Sequence, residues 1–515
     1  MSGLNLTALW DEVVVKHRAR TALRFTETLS FTYEELDGVA NQIAGFLSDQ
    51  GVSKGDRVAI CLEKSVSAYA IIFACLKIGA PYVALDPRNP RARLADIIDQ
   101  CCPSILFRQA DMEHFTDTLP SFVCPDGAAL PGFCTAYPRN AFRPVYALNG
   151  SEPAYLMFTS GSTGSPKGAV MSRDNLFHFI DWTRTAYGFL PEDVHTHLNP
   201  LYFDNTVFDI YSTLFSGGSL VPFDFNTLQS PGILAKRIRE MGCSVWFSVP
   251  TLLIFLQVMK VVNENNLGTL RKIIFGGEGY PKPKLRALRQ ALPGARLFNV
   301  YGPTECTCIC SSREIEDSDF TDPEGFPALG DMTPVFNYYI LDGDNPAPKG
   351  EIGELCLGGV CVGLGYWNRK ALTEKVFVQN PLNTAYSERI YRTGDLVRLN
   401  PKDGLVYFMG RKDFQIKHQG YRIELQEIET ALNEYDAVDQ VGVVYIKNPD
   451  KGGEIIAFLA PSGHSAELEI REFARQRLPA YMIPSRFCFL DSLPKNANGK
   501  IDRNQLVNIA AEGKL

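Results

Sequence analysis

The chain has 515 residues, 45% apolar and 21% charged, the composition of a soluble globular protein with several cores, which excludes one small module. Its 51 basic and 58 acidic side chains leave a formal net charge of −7. No long basic run accompanies them, which argues against a nucleic-acid surface, where clustered Lys and Arg must neutralise phosphates. Thirteen cysteines, an odd number scattered over a long chain, fit reduced thiols in a reducing cytosol better than a disulfide framework.

The first residues carry Asp11 and Glu12 and lack the basic start and apolar centre of a signal peptide, so a cytoplasmic protein is expected. The apolar stretch 66–76 ends at Lys77, short of the ~20 residues that span a bilayer, and predicts a buried helix rather than a membrane segment. Residues 120–153 are rich in Pro and Gly without period and read as irregular connection. A strand at 154–159 then runs into Thr159-Ser-Gly-Ser-Thr-Gly-Ser-Pro-Lys167-Gly, a loop of small residues with one Lys. Such residues let backbone N–H groups approach phosphate oxygens, although a Gly/Ser loop by itself is also an ordinary linker. Lys167 is flanked by Pro166 and Gly168, which excludes the Walker pattern.

Farther on, the period alternates: strand 244–249, helix 251–264, strand 272–275, helix 282–292, strand 296–300. This β-α-β-α-β run predicts an α/β fold with a doubly wound parallel sheet, whose ligands bind in the loops beyond the carboxyl ends of the strands. After Asp413 the texture becomes a compact α+β pattern, with a helix at 424–435, strands at 440–446 and 454–460, and a helix at 469–477. No internal repeat or low-complexity tract is evident.

The loop 158–168 resembles the phosphate loop of the acyl-adenylate-forming enzymes, and six further motifs follow that family's order: 76–87, 299–305, 353–368, 391–396, 410–422 and 498–502. Together they resemble the amino-acid-activating adenylation domains of nonribosomal peptide synthesis and of the D-alanine-carrier ligases. The resemblance implies a large N-terminal AMP-binding core, 1–411, and a smaller mobile C-terminal cap, 412–515. The cap would turn on a hinge at Lys412 and Asp413. ATP and Mg2+ are implied, with Thr159, Ser160, Gly161, Ser162, Thr163 and Gly164 on the phosphates and Lys167 beside them. Gly277 and Glu278 would flank the adenine slot, Tyr301 stack on the base, Asn299 read its amino edge, and Gly302 and Thr304 complete the nucleotide contacts. Asp395 would accept the ribose hydroxyls with Arg411 nearby. Glu305 would hold Mg2+, a hard cation that prefers carboxylate and phosphate oxygens. Lys500 would be the catalytic cation, since negative charge gathers as a carboxylate attacks the α-phosphate.

Asp204 stands where amino-acid-activating members pair a carboxylate with the substrate ammonium; read alone, it is also a candidate helix cap. The rest of the implied pocket is Asn205, Phe208, Phe247, Ile274, Gly276, Val300, Cys308 and Ile309. Apart from Asn205 it is apolar and has no partner for a charged side chain, so a small aliphatic amino acid is expected, Ile- or Val-like, or Ala or Gly. Asn205 departs from the apolar residue usual there. The chain ends at Leu515 soon after Lys500, so a free-standing enzyme that loads the phosphopantetheine of a separate carrier protein is expected. An acyl-CoA ligase and a catalytically silent nucleotide-binding module remain alternatives. Cys306, Cys308 and Cys310 alternate, as do His195 and His197; each set reads as one strand face rather than a zinc site.

Overall fold

The computed structural model describes residues 5–511, except 111, 113–118, 141, 143, 146, 162, 163, 449–451, 462–466 and 496–500. Ser162, Thr163 and Lys500 thus lie outside the described residues. The chain folds into two compact units. One comprises Met1–Pro87, Cys101–Met157 and Gly168–Lys412; the other comprises Arg88–Gln100, Phe158–Lys167 and Asp413–Leu515.

The larger unit is mixed α/β, as the alternating periods predict. In its nine-stranded sheet, Arg296–Tyr301, Lys272–Gly276, Val245–Ser248, Val194–His197, Ser219–Pro222 and Thr21–Arg24 lie side by side and parallel. Antiparallel Ser311–Glu314 and Asp331–Met332 extend one edge and Ser30–Thr32 the other. A seven-stranded sheet holds Tyr82–Ala84, Val58–Cys61, Ile105–Gln109 and Ser121–Cys124, and an antiparallel sheet is built on Ile352–Gly359 and Arg389–Leu399. The parallel strands Val58–Cys61, Val245–Ser248 and Lys272–Gly276 are buried along their whole length, as strands covered on both faces are.

The apolar stretch forms the helix Val66–Ile78, buried at every position, started by the Ser65 hydroxyl on Ala68 N–H and ended by Gly79 at φ 78°. That left-handed φ is the natural stop for a helix, since glycine has no Cβ to clash. Two expectations are corrected. The helix expected at 251–264 is Pro250–Val258, followed by Glu264–Leu267; the chain turns left-handed at Lys260 (φ 57°), and the Asn263 side chain caps a new start. The stretch 120–153 is not wholly irregular, since Ser121–Cys124 adds a parallel edge strand.

The smaller unit is α+β. A hairpin pairs Gln415–His418 with Tyr421–Glu424, and Gln419 and Gly420 at its tip both have positive φ. The helices Leu425–Asn433 and Glu467–Arg477 share an apolar cluster with the strands Val438–Asn448 and Gly452–Pro461. Among the described residues no helix is long and apolar enough to cross a membrane. Of the thirteen cysteines, twelve are buried and Cys102 is exposed.

Candidate active site

In the larger unit most candidate residues sit near or beyond the carboxyl ends of the parallel strands, while Asp395 and Arg411 lie on the antiparallel sheet. The strand Arg296–Tyr301 runs into a turn that spends its side chains on three neighbours. The Tyr301 hydroxyl donates to Asp395 Oδ2 at 2.5 Å, the Thr304 hydroxyl to Asp204 Oδ2 at 2.6 Å, and Glu305 Oε1 accepts from the Tyr366 hydroxyl at 2.6 Å. Five consecutive residues, 301–305, therefore address three carboxylate sites. The turn closes through Thr307 (φ 55°) and Cys308 (φ 76°), two successive side-chain-bearing residues in the left-handed region, a strained backbone of the kind that clusters at functional sites. Consequently Cys306, Cys308 and Cys310 do not alternate along one strand face as expected; they lie in this turn. Gly302 is required here, because a Cβ would stand 2.1 Å from Cys308 O.

Asp395 is held by the antiparallel sheet. It lies opposite Arg411, whose guanidinium donates to Asp395 Oδ1 at 2.5 Å. Arg411, expected near the ribose, thus reaches the carboxylate expected to hold it. Burial first, then Asp395, pushes the Tyr301 phenol well above its ordinary pKa, so it remains a donor. Asn299 gives its amide N–H to Ala328 O at 2.8 Å, which leaves Oδ1 as the atom to accept a donor such as an adenine amino group. Gly277 has φ 88°, and Glu278 accepts from the Thr251 hydroxyl.

Asp204 is not a helix cap: it precedes the helix Asn205–Val207, but its side chain makes no capping bond. Phe208, Phe247, Ile274, Val300, Cys308 and Ile309 are all buried in one apolar cluster, with the Phe208 and Phe247 rings 4.6 Å apart. Gly276 pairs with Val300 in register, and a Cβ there would lie 2.3 Å from Val300 O, so the strands approach this closely only with glycine.

The loop 158–167 belongs to the smaller unit. The Ser160 hydroxyl donates to Arg422 O at 2.7 Å and accepts from Glu424 N–H at 3.2 Å. Gly161 N–H donates to Glu427 Oε2 at 3.1 Å, and the other Glu427 oxygen pairs with Arg93. Gly164, at φ 86°, lies against Thr430, and Lys167 opens the strand Lys167–Ser172. Glu427 and Arg93 were not foreseen. A helix-face pattern cannot tell an anion seated on a loop amide from an exposed charge. Tyr366 lies within the motif 353–368, yet nothing in its spacing points to Glu305. Lys412 N–H donates to Gly394 O at 2.9 Å, and Asp413 Oδ1 accepts from Gln415 N–H at 3.2 Å.

Residues 10–367 match the family model described as AMP-binding enzyme, and residues 427–500 match the AMP-binding enzyme C-terminal domain. The chain belongs to the AMP-binding enzyme family. It is 32% identical over 491 residues to the D-alanine–D-alanyl carrier protein ligase of Bacillus licheniformis, covering 93% of this chain and 94% of that one. It is 34% identical over 512 residues to surfactin synthase subunit 3 of Bacillus subtilis (strain 168), covering 97% of this chain and 38% of that one. The chain spans 38% of that synthase and 6% of the malpinin synthetase of Mortierella alpina, a small part of each. Among solved structures it resembles IdnL1, with a TM-score of 0.83 and 27% identity over 95% of this chain and 99% of that one.

AMP-binding enzymes of this kind are ligases that use ATP with Mg2+. The residues present fit both groups. Thr159 Oγ1, in the phosphate loop, is buried without a hydrogen-bond partner among the described residues, and Glu305 offers the oxygen donor a hard divalent cation prefers.

Proposed function

We propose that the chain activates an amino acid with ATP, releasing pyrophosphate, and transfers the aminoacyl group to the phosphopantetheine thiol of a carrier protein, in the cytoplasm. The carrying observation is the turn 301–305, which engages Asp395, Asp204 and the Glu305–Tyr366 pair within one short segment. On this reading Asp395, oriented by Tyr301 and Arg411, takes the ribose hydroxyls. Tyr301 and Asn299 receive the adenine, with Gly277, Glu278 and Gly302 around it. Glu305 holds Mg2+, which offsets phosphate charge when bound. Thr159, Ser160, Gly161, Ser162, Thr163 and Gly164, with Lys167, cradle the phosphates.

Asp204, oriented by the Thr304 hydroxyl, pairs with the substrate ammonium. This places the carboxylate oxygen for in-line attack on the α-phosphorus, while the bond from that phosphorus to the pyrophosphate oxygen breaks. Lys500 neutralises the charge that develops. The side chain is compact and uncharged, of the size of Ile, Val, Ala or Gly, because the implied lining residues other than Asp204 carry no charge to pair with it. The ligase from Bacillus licheniformis, whose whole length the chain nearly spans, supports a carrier protein as acceptor.

Pyrophosphate exchange across L- and D-amino acids and their des-amino analogues tests the reading. Exchange is expected with a compact amino acid and is lost with its des-amino analogue, which leaves Asp204 unpaired. Equal turnover of the two removes Asp204 from its role, and loading of CoA in preference to carrier protein identifies an acyl-CoA ligase instead.

A further inference from the structure

Behind Asn205 lies a polar relay that no part of the adenylation reading uses. Asn199 is buried and gives its amide hydrogens to Phe247 O at 3.2 Å and to Asp209 Oδ2 at 2.8 Å. A backbone carbonyl only accepts, so the Asn199 amide has one possible sense, with Nδ2 toward Phe247 and Oδ1 away from it. That Oδ1 accepts from Asn205 Nδ2 at 3.4 Å. The Asn205 amide is thereby oriented in turn: its nitrogen faces Asn199 and its carbonyl oxygen faces Cys308, whose thiol lies 3.7 Å away. The segment carrying Asn205 is itself pinned. The Tyr69 hydroxyl meets His197 Nδ1 at 2.6 Å, and His197 Nε2 meets the Thr206 hydroxyl at 2.8 Å. A π-helical turn, Phe208–Ser212, then buries Asp209 beneath Asn199.

An otherwise apolar lining thus carries one oriented acceptor, Asn205 Oδ1, beside a thiol that is only a weak donor. A hydrocarbon side chain packed there leaves that acceptor without a strong partner, whereas a hydroxyl satisfies it. Resting on the adenylation reading above, we infer that the enzyme selects a compact amino acid whose side chain bears one neutral hydrogen-bond donor, a hydroxyl above all. Asn205 meets the donor, and Asn199 is the positioning residue that sets the sense of the Asn205 amide.

The experiment is pyrophosphate exchange with pairs matched in shape, Thr against Val and Ser against Ala, in L and D forms, within a wider amino-acid panel. The donor-bearing member is expected to lead by about tenfold or more in kcat/KM. In Asn199→Leu the ratio falls toward one while exchange with the hydrocarbon member persists; in Asn205→Leu it inverts. A uniform loss of all activities in Asn199→Leu, with the ratio unchanged, overturns the positioning assignment. Val and Ala equal to or better than Thr and Ser, or a panel whose active members all lack a side-chain donor, overturns the inference and leaves amino-acid activation standing. No exchange with any amino acid fells the adenylation reading and this inference with it.

Discussion

Tyr301 closes its strand with the ring buried and the hydroxyl on Asp395, so one side chain carries both the ring assigned to the base and a donor to the carboxylate assigned to the ribose. The two roles separate in Tyr301→Phe, which keeps the ring and removes the donor. Asp395 then keeps Arg411 but loses one of its two restraints. The expected result is a KM for ATP raised about tenfold in pyrophosphate exchange with kcat nearly unchanged, since a hydrogen bond to a charged group is worth about 1.5–3 kcal/mol. An unchanged KM assigns the ring alone to nucleotide binding. The Tyr301–Asp395 pairing was not legible in the sequence. The two residues are 94 positions apart, on strands of different sheets, and both occur in motifs that single them out for other contacts.

At the scale of elements, the chain passes between the two compact units at several points, the last of them between Lys412 and Asp413. Lys412 N–H is held by Gly394 O on one side, and Asp413 accepts from Gln415 N–H on the other, so few backbone dihedrals lie between two anchored segments. The hinge expected at Lys412 and Asp413 would use such a stretch to absorb a rotation between half-reactions. Proline fixes φ near −65°, so Asp413→Pro restricts that rotation and also removes the side chain that anchors Gln415. The mutant is expected to retain much of its pyrophosphate exchange while loading carrier protein poorly, measured as aminoacyl thioester formed per unit time. Parallel losses in both assays, or no loss in either, remove the hinge assignment. Lys282–Ala291 was readable from its period, because burial sets one face, and Val66–Ile78 from its apolar run, because every position is buried. The break at Lys260 was not, since nothing in residues 251–264 but one Asn marks a new start.

For the larger unit as a whole, buried titratable groups set a pH dependence. Burial holds His195 and His197 well below their ordinary pKa of 6.5, opposed at His195 by Asp193, and His17 is lowered in the same sense. Unfolding below pH 6.5 therefore takes up protons that the native state refuses, and stability is lost as pH falls. Asp209 opposes this, because burial raises its carboxyl well above 3.8; it carries a proton in the native state that the unfolded chain releases. Below about pH 6 the protons gained by the three histidines outweigh the one that Asp209 gives up, so the unit loses stability on acidification, more steeply toward pH 5. Urea unfolding followed by tryptophan fluorescence at pH 6.5, 6.0 and 5.5 measures the slope. Asp209→Asn removes the opposing proton and should steepen it; a flat or rising stability toward pH 5.5 contradicts the assignment.

Composition, period and motif order by themselves determined the α/β class and the family, and singled out the short segments to which the chemistry is assigned. These follow from local rules: a 3.6-residue or two-residue period, and small residues where a backbone must come close to a ligand or another strand. Tertiary structure alone decided the partners. Thr304 meets Asp204, Glu305 meets Tyr366, Gly161 gives its N–H to Glu427, and the amide of Asn205 takes its sense from Asn199 and the carbonyl of Phe247. Hydrogen bonds between residues far apart in sequence leave no periodic trace. Their direction depends on which acceptor the folded backbone presents, a property of the assembled sheet and its loops rather than of any one segment.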